Sequence, residues 1–88
     1  IMNFTLGDNA PNPFLSVTEI PYTLSETATV TLRVYDITGR EVRELVSDRQ
    51  KSGSYSVTFD GSDLPAGAYF YKLRTPAGAQ TKKMFLGH

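Results

Sequence analysis

The residues able to do chemistry are few, and most stand where a turn would need them. His88, the last residue, is the sole histidine, and cysteine is absent. A serine triad needs an imidazole base oriented by a carboxylate, and cysteine catalysis needs a thiolate. A histidine at a chain end is expected to fray or to be a cloning remnant, so neither arrangement can be assembled. No serine occupies the Gly-x-Ser-x-Gly setting that lifts a nucleophile onto a sharp turn. Ser–Lys and carboxylate-pair chemistry stay formally open. The chain is read as no enzyme.

Oxygen ligands occur in two places. Asp60 and Asp63 flank Gly61, but the full Asp-x-Asp-x-Asp-Gly pattern with its bidentate glutamate is missing. Capping of a turn by aspartate is the simpler reading. Asp8, Asn9 and Asn12 form a second oxygen-rich group and are read in the same way. Asn3-Phe4-Thr5 matches the N-glycosylation triplet, which is frequent by chance. The glycines are dispersed and each serves a turn, so no phosphate cradle exists, and no cofactor or metal is expected.

Two surface patterns remain. Tyr35, Phe70 and Phe85 could form a strip for a glycan or a protein, although in a two-sheet sandwich they are expected to close a second core face. Lys82-Lys83 precedes Met84-Phe85-Leu86. A lysine pair on a terminal strand usually guards an open edge against unwanted pairing. A basic, apolar strand can also offer that edge to a receptor by strand addition.

Whatever these residues do, short β-strands must position them. The 88 residues leave room for one small domain, which buries roughly 60 to 65% of its unfolded surface. Without disulfides, stability must come from the five Tyr, the five Phe and the aliphatic residues. Lys plus Arg and Asp plus Glu are both 9, which removes the bulk electrostatic case for nucleic acid. No apolar run approaches the roughly 20 residues of a membrane-spanning helix. The start, Ile1-Met2-Asn3-Phe4-Thr5, lacks the features of a signal peptide, and an excised C-terminal piece of a longer precursor is inferred.

Residues 7–16 are dense in turn formers and read as an entry loop. Ile20, Tyr22 and Leu24 alternate with polar residues, but Pro21 interrupts and predicts an edge strand or a bulge. Val30, Leu32 and Val34 face one way, with Thr29, Thr31, Arg33 and Tyr35 facing the other. Gly39 can close a tight hairpin after Asp36. Residues 40–50 are ambiguous: Val42, Leu45, Val46 and Arg49 fit helical spacing as well as a bulged strand, and the hairpin tips the reading to strand. Tyr55, Val57 and Phe59 mark the next strand. Asp60-Gly61-Ser62-Asp63 turns the chain into a strand carrying Tyr69, Tyr71 and Leu73. Thr75-Pro76-Ala77-Gly78 turns it again into a last strand from about Gln80 to Leu86. The fold class expected is all-β, an immunoglobulin-like antiparallel β-sandwich of about seven short strands.

The phrases Asn12-Pro13-Phe14, Tyr35-Asp36-Ile37-Thr38-Gly39-Arg40-Glu41-Val42, Gly53-Ser54-Tyr55, Leu64-Pro65-Ala66-Gly67-Ala68-Tyr69 and Lys82-Lys83-Met84-Phe85-Leu86 follow one another in fixed order. From Leu6 to Leu86 the chain resembles the type A C-terminal sorting domains of the type IX secretion system. It also resembles, more distantly, the immunoglobulin-like domain of flagellar hook-capping proteins. It departs from the sorting-domain pattern at Leu15-Ser16-Val17 and at Pro21.

The resemblance implies residues 1–16 as linker and entry loop and residues 17–88 as the sorting domain. It implies a non-catalytic signal that directs an attached cargo through the periplasm and across the outer membrane of a Bacteroidota-type bacterium. The partners implied are the type IX translocon, a sortase-like signal peptidase and the upstream cargo, with no nucleic acid and a monomer in isolation. Cleavage is expected in a flexible segment at or upstream of about Gly7. The recognition positions carried over are Gly67, Tyr69, Lys82, Lys83, Met84 and Leu86. Two other readings stay open: an accessory module that binds carbohydrate or protein, and an assembly part as in hook capping.

Overall fold

Alternation of apolar and polar side chains is the rule along almost the whole chain, and it folds accordingly. The computed structural model describes residues 3–87, so His88 lies outside the described residues. The described residues form seven strands: β1 (Phe4–Leu6), β2 (Val17–Leu24), β3 (Ala28–Tyr35), β4 (Glu41–Gln50), β5 (Gly53–Asp60), β6 (Gly67–Thr75) and β7 (Gly78–Leu86). They make two antiparallel sheets, ordered β1-β2-β5 and β4-β3-β6-β7. The chain crosses between sheets after β2, β4 and β5, the Greek-key habit of an immunoglobulin-like sandwich.

Period-two burial decides which residues meet between the sheets. Ile20, Tyr22, Leu24 and Phe59 come from one sheet, and Val30, Leu32, Val34, Tyr71, Leu73 and Met84 from the other. Phe14 closes one end of this core and meets Phe59 edge-on, with ring centroids 5.9 Å apart. Tyr22 stacks on Tyr55 at 5.2 Å. Such rings add attraction beyond the area they bury.

β4 explains the ambiguity of residues 40–50. Leu32 pairs with Val46 but Arg33 with Glu44; Val34 pairs with Arg43 but Tyr35 with Glu41. Leu45 and Val42 are therefore extra residues at two bulges, each of which resets the alternation. Two resets in one strand give an apolar spacing close to that of a helix. The reading as a bulged strand holds.

Pro21 requires a correction. β2 is the middle strand of its sheet, not an edge, and Pro21 pairs with Ser56 of β5 in unbroken register. The ring is tolerated because β1 stops at Leu6, and there Gly7 N donates to the Pro21 carbonyl at 2.8 Å. Proline has no N–H to return, so the Gly7 carbonyl would lack a donor from β2. The Tyr71 hydroxyl supplies one at 2.9 Å.

Residues 3–16 hold a strand and buried side chains besides the entry loop. Phe4–Leu6 is a strand with both its apolar ends buried, too short to show a period in the sequence. Gln80 closes its outer edge: Leu6 N donates to Gln80 Oε1 at 2.9 Å, and Gln80 Nε2 donates to the Phe4 carbonyl at 3.4 Å. The carboxamide acts there as a substitute peptide group. Asn9 is buried, its N–H donating to Tyr71 Oη at 2.9 Å and its Nδ2 to Thr18 Oγ1 at 3.1 Å.

Candidate functional site

The terminal hairpin β6–β7 carries all six positions singled out from the resemblance, and alternation sorts them into unlike environments. Tyr69 pairs with Met84, and Gly67 with Leu86. Tyr69, Met84 and Leu86 are core residues, exposed by 5, 0 and 2%. The Tyr69 hydroxyl donates to the Pro65 carbonyl at 2.6 Å and so ties the strand to the loop that enters it. Burial pushes the Tyr69 phenol above its ordinary value, with a smaller push from Asp36. Gly67 is exposed and has φ of 146°, outside the range that side-chain-bearing residues readily adopt.

The lysines diverge. Lys82 lies on the core side of β7 and reaches Asp8, with Nζ 3.0 Å from Oδ1. Hydrogen bonding and attraction to Asp8 push its pKa above the ordinary value. Lys83 points to the opposite face, with its ammonium 5.1 Å from the centroid of the Phe85 ring.

β7 is an edge strand, and part of that edge is occupied. Phe85 N donates to Asn12 Oδ1 at 3.0 Å, Phe14 N donates to the Phe85 carbonyl at 2.9 Å, and Gly87 N donates to the Phe14 carbonyl at 2.8 Å. The Asn-Pro-Phe phrase thus covers the end of the strand. Alternation turns the main-chain groups of Thr81 and Lys83 the same way as those of Phe85, beyond the reach of this plug.

The oxygen-rich groups have structural partners. Asp60 Oδ1 accepts from Ser62 N at 2.9 Å, and Asp63 pairs with Arg43. Asp8 holds Lys82, Asn9 binds Thr18 and Asn12 caps Phe85. Asp36 Oδ1 gathers Thr38 Oγ1, Thr38 N and Arg40 N at 2.5, 2.9 and 3.1 Å, closing the β3–β4 turn in which Gly39 has φ of 89°. Among the described residues no His, Asp and Glu cluster is placed to hold a metal ion. An open apolar groove with a volume of about 230 Å³ lies between this turn and Leu64–Tyr69; Ile37 and Pro65 line it.

The aromatic strip is corrected. Tyr35, Phe70 and Phe85 do not close a second core face. The buried alternates Val34, Tyr71 and Met84 turn them outward on the four-stranded sheet, and Phe85 is 45% exposed. Residues missed from the sequence include Gln80 and Tyr71, whose polar groups join the two sheets. Nothing in a linear pattern pairs position 80 with 6, or 71 with 7.

A search among curated proteins finds no match. A family model described as the secretion system C-terminal sorting domain matches residues 10–86. That span runs from the segment feeding β2 to the end of β7, and so includes the sandwich apart from β1. The chain belongs to the family of C-terminal sorting domains of type IX secretion.

Proposed function

We propose that this domain is a non-catalytic sorting signal for a cargo on the same polypeptide. It marks the cargo for passage from the periplasm across the outer membrane by the type IX translocon. A sortase-like peptidase then removes it at the cell surface. The family match over residues 10–86 carries this reading. The geometry agrees with it, since the phrases that carry the resemblance build turns, core and one terminal hairpin.

The carried-over residues divide into two roles. Tyr69, Met84 and Leu86 give the terminal hairpin its shape from inside the core, and Gly67 sets the backbone that enters it. Lys82 ties β7 to the entry segment through Asp8, and Lys83 faces outward. The pairing of Phe4–Leu6 with β2 supports peptidase cleavage upstream of Phe4, within the expected range at or upstream of about Gly7. A reporter fused ahead of Asn3 tests the reading. In a bacterium with a type IX system, the whole domain should send the reporter to the surface or medium. Truncation after Gly78 should abolish that export, and equal reporter levels with and without residues 79–88 would overturn the proposal.

A further inference from the structure

Tyr69, Met84 and Leu86 are buried in the core and out of a receptor's reach, so recognition must run through the side chains between them. On β3, β6 and β7 those side chains form rows: Tyr35 pairs with Phe70 and Phe70 with Lys83, while Arg33 pairs with Lys72 and Thr31 with Arg74. Phe85, opposite Ala68, extends the apolar patch, and Lys83 rests against its ring. We infer that this outer face, with Tyr35, Phe70 and Phe85 framed by Lys72, Arg74 and Lys83, docks on an acidic protein surface of the export machinery. The inference rests on the sorting reading and deepens it by naming the face and the chemistry of its partner.

Charge decides the partner. Arg33 is already answered within its own sheet, with Nε 2.9 Å from Glu44 and 3.5 Å from Glu41. Among the described residues, Lys72, Arg74 and Lys83 have no carboxylate within ion-pair distance. The other sheet is the reverse. β1, β2 and β5 carry Glu19 and Asp60 and no lysine or arginine. The four-stranded sheet therefore keeps these three cations unanswered, its Glu41 and Glu44 being engaged by Arg33, while the strands of the other sheet carry carboxylates alone. An apolar centre with unpaired cations at its margin is the composition of a protein interface, and its complement is an acidic rim around an apolar centre. A flat sheet face suits a protein surface better than a small ligand, which needs a concave site.

The test compares K72E/R74E/K83E with E19K/D60K on the opposite face, each in the reporter fusion and each checked for folding by thermal unfolding. Reversing the framing cations should cut export roughly tenfold or more, because like charges across an interface are strongly unfavourable. The opposite-face control should export normally. If the unaltered domain exports, truncation after Gly78 does not, and the triple reversal matches the unaltered domain, this face is not the docking surface and the sorting reading stands. If the unaltered domain exports nothing, the sorting reading itself fails. Should the triple variant not fold, a photo-crosslinking residue at position 72 or 56 replaces it. Crosslinks to a translocon component from 72 and not from 56 support the face, and the converse overturns it. Purified domain titrated with the host's lipopolysaccharide provides the last arm. Saturable binding lost in K83A, without any translocon crosslink from 72, would assign the strip to a polysaccharide and overturn the protein partner.

Discussion

The Tyr71 hydroxyl, on β6 of one sheet, donates to the Gly7 carbonyl at the end of β1 in the other, over 2.9 Å. The same oxygen accepts from Asn9 N at 2.9 Å. One buried phenol thus satisfies the segment that Pro21 cannot. Tyr71→Phe keeps the ring and strands both main-chain groups, which should cost about 1–3 kcal/mol. Urea unfolding of the variant checks this, and an unchanged midpoint would refute the role assigned to the hydroxyl.

Gly7 is held by shape as well as by hydrogen bonding. A Cβ there would stand 2.8 Å from Pro21 Cγ and 3.1 Å from the Pro21 carbonyl oxygen. The proline ring is rigid and the carbonyl is part of a central strand, so neither yields freely. Gly7→Ala should destabilise by about 1–3 kcal/mol. Pairing the change with Pro21→Ala should recover part of the loss, which a double-mutant cycle of unfolding free energies would read.

Gly67→Ala should also destabilise, for a different reason. No heavy atom lies within 4 Å of the added methyl, so crowding is absent and only the backbone at φ of 146° objects. The cost should be about 1–3 kcal/mol, typical of a residue held in a sparsely populated conformation. Gly67→Asn and Gly67→Ala should unfold at similar denaturant concentrations, since size is not the issue.

Met84 fills the core between the sheets and is 0% exposed. Met84→Ala should lose about 2–5 kcal/mol by leaving a cavity. Lys83→Ala, on the next residue but the outer face, should change stability by less than about 0.5 kcal/mol. Thermal unfolding of the two variants separates fold from surface within a single strand.

Acid should weaken the turns before the core. Donation from Thr38, its side chain foremost, holds the Asp36 carboxyl below its ordinary value, and the Ser62 N–H does the same for Asp60. A lowered folded pKa means the contribution is full above the unfolded value and vanishes as pH falls through the folded one. The melting temperature should therefore fall between about pH 5 and about pH 3, given an unfolded aspartate near 3.9. In Asp36→Asn that fall should be shallower, and an identical pH profile would exclude the Asp36 turn as its source.

Much of this architecture could be read along the chain because its signals are local. Val30-Thr31-Leu32-Arg33-Val34 and Tyr55-Ser56-Val57-Thr58-Phe59 state their faces in their own alternation. The Asp36–Gly39 turn states its geometry in its residue types. Residues 40–50 could not, because two bulges change phase twice within one strand. The expectation for Pro21 failed because a proline's cost depends on where the neighbouring strand ends, and that neighbour, β1, has only three residues.

The order of apolar and turn-forming residues determined by itself that this is an all-β domain of about seven strands with its family phrases in sequence. Alternation and turn chemistry act between residues a few positions apart, so no partner is needed to read them. Tertiary structure alone decided that Gln80 completes the edge of β1 and that the Asn-Pro-Phe phrase plugs the end of β7. It alone left Tyr35, Phe70 and Phe85 without a covering layer, beside unpaired cations. Those outcomes depend on which strands become neighbours across more than seventy positions of chain, as for Leu6 and Gln80, and only the closing of one sheet on the other brings them together.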